Sequence, residues 1–148
     1  MKILVTGSEG SLMQAVIPHL VAQGHEVFGV DNLFRHSKRL NIANGYTFHQ
    51  GDLNSVSFVN GLFNVFQPDY VIQAAARIFG VGGFNKYRAD ILHKDIALHG
   101  NILEAAAKYK TKRVVYISSS MVYENCPQDV RTPVYENMVD VYPAPYTE

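Results

Sequence analysis

Residues 1–31, MKILVTGSEGSLMQAVIPHLVAQGHEVFGVD, decide the fold. The apolar run Ile3-Leu4-Val5 meets a glycine turn, Thr6-Gly7-Ser8-Glu9-Gly10. Leu12, Val16, Ile17, Leu20 and Val21 then recur at helical spacing as far as Gly24, and a second apolar run, Val27 to Val30, stops at Asp31. Strand, tight turn, helix, strand and acid in about thirty residues make one βαβ unit. Such a turn presents backbone N–H groups at a helix N-terminus, where the helix dipole favours a phosphate. Asp31 follows Gly7 by 24 residues and closes the second strand, where a carboxylate accepts hydrogen bonds from a ribose diol. The stretch reads as a dinucleotide site, with a ligand-free structural turn as the alternative.

The usual fingerprint of such a turn has three glycines. Gly7 permits the tight turn and Gly10 lets a pyrophosphate approach the backbone, but the third position holds Met13. Two readings stay open for Met13. Its flexible side chain packs between helix and sheet, or it pushes into the cofactor channel.

The 148 residues suit one domain with a buried core. The 13 basic residues balance 13 acidic ones, which gives no electrostatic reason to expect nucleic acid or an anionic membrane as partner. No apolar run approaches the roughly 20 residues that span a bilayer, and Met1 leads straight into a strand, so neither a membrane segment nor a signal peptide is expected. The single cysteine, Cys126, cannot form an internal disulfide and has no CxxC partner. A cytoplasmic location is the expectation.

Downstream of Asp31, the polar stretch Asn32 to Arg39 carries Arg35, Lys38 and Arg39 beside the expected adenosine ribose. These cations either bind a 2′-phosphate or form a solvated loop. Asp31 would repel such a phosphate, so NAD is favoured over NADP. Tyr46 to His49 reads as a third strand. Asp52 then has two compatible roles open to it, capping the helix that bears Val56, Val59, Leu62, Phe63 and Phe66 and accepting from an adenine amino group. Pro68 ends that helix, and Tyr70-Val71-Ile72 starts a fourth strand running into Gln73 and the small residues Ala74, Ala75 and Ala76. Small residues at this strand end leave space for a ligand on the edge where open α/β sheets bind. Gly80, Gly82 and Gly83 make the next loop a candidate lid. A long helical pattern runs from Lys86 to Tyr109, with His93 and His99 too far apart in register to share a metal. Val114 to Ile117 reads as a fully buried fifth strand followed by Ser118-Ser119-Ser120, and the proline-rich remainder reads mostly as loop.

These segments, VTGSEGSLM, VDNLFRHSKR, GDLN, VIQAAA, the GNILEAA helix and VYISSSMVY, resemble in content and order the extended short-chain dehydrogenase/reductase family. Its members are NAD(P)-dependent nucleotide-sugar epimerases, dehydratases and reductases. VDNLFRHSKR is similar to the UDP-galactose 4-epimerase branch, whereas AAARIFGVGGFN is similar to the GDP-fucose synthase and GDP-mannose 3,5-epimerase branch, so no sugar is chosen. The resemblance implies that Gly7 and Gly10, with the neighbouring backbone of Ser8, Glu9, Ser11 and Leu12, hold the pyrophosphate. It assigns Asp31 and Asn32 to the ribose, Asp52 and Leu53 to the adenine, and Ala74 to Ala76 to the nicotinamide side. It implies that Ser119 hydrogen-bonds a substrate oxygen while a tyrosine moves the proton, its pKa lowered by a lysine four residues on.

Departures from the family sit beside these matches. No Tyr-x-x-x-Lys occurs in the sequence, and Tyr146 begins one only if a lysine stands at position 150. Gln73 replaces the usual histidine before the alanines, and the asparagine expected in the long helix is replaced near Ile96-Ala97. The expectation is an open parallel sheet of order 3-2-1-4-5 with helices on both faces. It would be the NAD-binding portion of a nucleotide-sugar epimerase or dehydratase, its substrate-binding half absent. The rival is a non-enzymatic cofactor-sensing protein. A third reading has exposed apolar surface driving assembly into a homo-oligomer.

Overall fold

The computed structural model describes residues 1–35, 38–39, 44–78, 86–127 and 133–141. They divide into two compact units, Met1–Tyr116 and Ile117–Glu148. The first contains β1 (Lys2–Thr6), α1 (Ser11–Ala22), β2 (Glu26–Asp31), β3 (Tyr46–Gln50), α2 (Val56–Phe66), β4 (Tyr70–Gln73), α3 (Arg88–Lys108) and β5 (Arg113–Tyr116). The second contains a 3-10 turn, Ser120–Tyr123, and a short helix α4, Met138–Val141.

The five strands form one parallel sheet of order β3-β2-β1-β4-β5, as expected. β1 is central because its alternation places an apolar residue on both faces. Leu4 packs with Phe63, Val59, Ile102 and Leu98 on the α2–α3 side. Ile3 and Val5 pack with Met13 and Ile17 on the α1 side. Strand pairing aligns Thr6 with Val30 and Gln73, Asp31 with Gln50, and Gln73 with Tyr116, so these C-terminal ends gather on one edge. That edge is where an open α/β sheet binds its ligands.

The turn chemistry follows the sequence. α1 ends in a Schellman motif, with Gly24 at φ +77° and the His25 amide donating to the Leu20 carbonyl at 3.1 Å. Pro18 lies inside α1 without ending it, its ring on the exposed side. Asp52 is not the cap of α2. Ser55 is, its side chain accepting from the Phe58 amide at 3.3 Å, because it stands three residues before that donor. Leu12, counted with the apolar helix face, is exposed. The long helix begins at Arg88, two residues later than its pattern predicts.

β5 departs most from expectation. Three of its four residues are exposed and only Val114 is partly buried. It is the edge strand, paired with β4 alone among the described residues, and of its four residues Val114 packs against the α2–α3 cluster while Arg113, Val115 and Tyr116 are exposed. The loop with Gly80, Gly82 and Gly83 lies outside the described residues, as does Tyr146. Among the described residues no helix is long and apolar enough to cross a membrane.

Candidate functional site

Gly7 opens the turn at φ +63°, and a Cβ there would stand 2.9 Å from the Ala75 backbone. Only glycine fits so close to the end of β4. The Gly10 amide donates to the Gly7 carbonyl at 2.9 Å, and a Cβ on Gly10 would meet that same oxygen at 3.1 Å. Gly10 is the N-cap of α1 and has no side chain to satisfy the first-turn donors. The first helical bond is from Gln14 to the Gly10 carbonyl at 3.1 Å, so the amides of Ser11, Leu12 and Met13 are first-turn donors with no acceptor inside the helix. Ser8 is buried, its amide donating to the Val30 carbonyl at 3.2 Å, and Gln14 Nε2 reaches back to the Glu9 carbonyl at 3.2 Å. The first-turn N–H groups of α1, behind two glycines at which a Cβ would press on the Ala75 backbone and the Gly7 carbonyl, fit a pyrophosphate. Met13 is 1% exposed and packs against Ile3, Val5 and Ile17, so the packing reading of that position holds.

Asp31 lies beside the turn. Its Oδ2 accepts from the Glu9 amide at 3.1 Å and its Oδ1 from the Leu33 amide at 2.8 Å. Each carboxylate oxygen has a second lone pair, which leaves capacity for a ribose diol. Asn32 is exposed, its Oδ1 accepting from the Phe34 amide at 3.0 Å. Across the edge, Asp52 Oδ1 accepts from the Asn54 amide at 2.9 Å and from Asn54 Nδ2 at 3.0 Å. Burial pushes the Asp52 pKa up, but the two Asn54 bonds and the charges of Lys94 and Arg77 outweigh it, so the net shift is downward. Leu53 is buried, and its carbonyl accepts from Asn101 Nδ2 of α3 at 2.9 Å.

At the end of β4 a buried polar knot fixes Ala74 and Ala75. Thr6 Oγ1 donates to Gln73 Oε1 at 2.6 Å and accepts from the Ala74 and Ala75 amides at 3.1 and 3.2 Å. Gln73 Nε2 donates to the Ala75 carbonyl at 2.9 Å and meets His99 Nδ1 at 3.1 Å. With the amide so oriented, His99 Nδ1 is the acceptor and its proton sits on Nε2. Burial lowers the His99 pKa, opposed by the charge of Asp95, and the ring meets Tyr116 edge-on at 4.9 Å. Asp95 also accepts from the Arg77 amide at 2.9 Å, holding the chain beyond Ala76.

A third cluster joins the turn to β3. Tyr46 Oη donates to Glu9 Oε1 at 2.7 Å and accepts from Arg39 Nη2 at 2.9 Å, while Arg39 Nε stands 3.6 Å from Glu9 Oε1. Burial and the bond to Glu9 push the Tyr46 pKa up to about 12, so its hydroxyl remains a donor.

Thus the first unit brings Gly7 to Leu12, Asp31 and Ala74–Ala75 to one edge of the sheet. Asp52 and Leu53 follow β3 on that edge. Ser119 belongs to the second unit, where it is exposed and its carbonyl accepts from the Val122 amide at 3.3 Å. Thr6, Tyr46 and Asn101 escaped the sequence reading. One signal was there for Tyr46: a carboxylate within an anion-binding turn requires a donor from elsewhere in the fold.

The profile of the NAD dependent epimerase/dehydratase family matches residues 3–146. A putative GDP-L-fucose synthase of Arabidopsis thaliana is 29% identical over 130 residues, covering 87% of this chain and 35% of the relative. The UDP-glucose 4-epimerase of Thermus thermophilus, solved in complex with NAD, superposes with a TM-score of 0.82 at 27% identity, over 97% of this chain and 44% of that one. The UDP-glucose 4-epimerase of Thermotoga maritima, solved with UDP-glucose, gives a TM-score of 0.80 at 27% identity, over 90% and 43%. The chain therefore spans well under half the length of these proteins. With the sheet order, the glycine turn and the acid at the end of β2 all in place, the chain belongs to the NAD dependent epimerase/dehydratase family.

Proposed function

We propose that this chain is the NAD-binding portion of a nucleotide-sugar epimerase or dehydratase. The observation that carries the reading is the turn itself: Gly7 and Gly10, pressed too close to the Ala75 backbone and the Gly7 carbonyl for a side chain, set the first-turn amides of α1 beside the Asp31 carboxylate. Bound there, NAD supplies a reversible hydride acceptor. The chain's own residues bind and orient. Backbone from Gly7 to Leu12 holds the pyrophosphate, Asp31 and Asn32 fix the adenosine ribose, and Asp52 and Leu53 receive the adenine. Ala74 to Ala76 line the nicotinamide side, where the Thr6–Gln73 knot sets the backbone. Ser119 hydrogen-bonds a substrate oxygen. The proton is moved by a tyrosine of a Tyr-x-x-x-Lys motif, which Tyr146 begins if a lysine stands at position 150.

The experiment is calorimetric titration of the chain with NAD, repeated on Gly10→Trp, with far-UV circular dichroism to check that the variant folds. The indole fills the space at the turn, so binding by the parent and its loss in a folded variant support the reading. Absence of NAD binding in the parent overturns it.

A further inference from the structure

A carboxylate is electrostatically misplaced in a turn that binds phosphate, yet Glu9 stands between Ser8 and Gly10 and is 1% exposed. Its partners lie toward β2 and β3. Gly29 of β2 makes the arrangement possible. A Cβ there would stand 2.6 Å from the Tyr46 ring and 2.8 Å from Ser8 Cβ, so the ring occupies the space over a glycine. The Tyr46 hydroxyl thereby reaches Glu9 Oε1 at 2.7 Å. Arg39 completes the cluster. Its guanidinium lies 4.4 Å from the Phe48 ring centroid and 5.4 Å from that of Tyr46, donates to Tyr46 Oη and pairs with Glu9. The Glu9 amide donates to Asp31 Oδ2 at 3.1 Å, so this cluster adjoins the carboxylate placed to read the adenosine ribose.

We propose that Glu9 is a cofactor-specificity residue, holding Arg39 against Tyr46 and Phe48 and, with Asp31, closing the adenosine 2′ position to a phosphate. This rests on the NAD-binding reading above. A 2′-phosphate brings up to two negative charges, and an arginine near the end of β2 is the group that accommodates it in NADP sites. Here Arg39 occupies that neighbourhood with its charge already matched by Glu9. Neutralising Glu9 removes one repelling charge and frees one attracting charge.

The test measures NAD and NADP affinities by calorimetry at low and high salt for the parent, Glu9→Gln, Arg39→Met and the double variant. Glu9→Gln keeps the shape and an acceptor for Tyr46. It is expected to raise the NADP-to-NAD affinity ratio by about tenfold at low salt, less at high salt. Adding Arg39→Met to Glu9→Gln reverses most of that gain. Arg39→Met alone, at a half-exposed side chain, leaves the ratio within about twofold, because the guanidinium is already neutralised. An unchanged ratio in Glu9→Gln, or an equal change for both cofactors, overturns the proposal. If Glu9→Gln does not fold, Arg39→Met decides: a large selective loss of NADP binding means that Arg39 already serves the phosphate. A parent that binds neither cofactor refutes the NAD-binding reading itself, an outcome distinct from an unchanged ratio.

Discussion

Thr6→Val isolates the polar knot at the end of β4. Valine matches threonine in shape, so the substitution opens no cavity at this fully buried position. It removes the donor to Gln73 Oε1 at 2.6 Å and the acceptor of the Ala74 and Ala75 amides at 3.1 and 3.2 Å. Three polar groups then need new partners, and Gln73 is itself buried. Orphaned buried groups cost about 1–3 kcal/mol each, with part of the amide loss recovered by water, so the net cost is about 3 kcal/mol. With an m-value of about 2 kcal/mol/M, the urea midpoint falls by about 1.5 M. A cycle with Gln73→Leu sharpens the test. If Thr6 acts largely through Gln73, the double variant loses less than the two single losses together, by about 1 kcal/mol or more. The same hydroxyl holds the backbone that approaches Gly7 most closely, so NAD affinity should fall with stability. A midpoint shift below about 0.3 M would refute the reasoning, since buried hydrogen bonds of this kind must then contribute almost nothing net.

Met13→Gly restores the family's third glycine but empties a core position packed on Ile3, Val5 and Ile17. It should destabilise by about 3–4 kcal/mol in urea unfolding, whereas a gain would mean that the glycine belongs there. Ser55→Ala deletes the acceptor of the Phe58 amide and should cost about 1 kcal/mol in a thermal melt, with no change in NAD binding. His99 has its pKa lowered by burial, so over the window below its unfolded value the unfolded chain binds more protons. Stability therefore rises with pH there and is lost as pH falls from about 6.5 through the depressed value. His99→Asn should flatten the dependence of the melting midpoint on pH between about pH 7 and pH 5, and an unaltered slope would count against that account.

The order and type of the elements were readable because both periodicities are strong from Ile3 to Val30, and because Gly24 and Pro68 punctuate where the helices end. The glycine turn and Asp31 were equally readable, since their roles depend on local spacing. β5 was misjudged for a physical reason: apolar composition says what a strand tolerates, and the layers around it decide what is covered. Asp52 and Ser55 are both good caps, and only the position of the Phe58 amide separates them. The couplings of Glu9 to Tyr46 and of Thr6 to Gln73 join residues 37 and 67 apart, which no local pattern announces.

The placement of β1 also bears on how the sheet is assembled during synthesis. β1 pairs with β2 about two dozen residues downstream, through a single intervening helix. Its other edge waits for β4, whose Tyr70 aligns with Ile3. At about 5–20 residues per second, that edge stays unpaired on a nascent chain for several seconds after β1 is made. The strand that anchors both faces of the core is thus closed late, by a contact of long sequence separation, and such contacts slow folding. Slower passage through residues 31–70 would lengthen the interval in which Ile3, Leu4 and Val5 present an open edge to other chains. The yield of native protein then depends on elongation rate as well as on final stability.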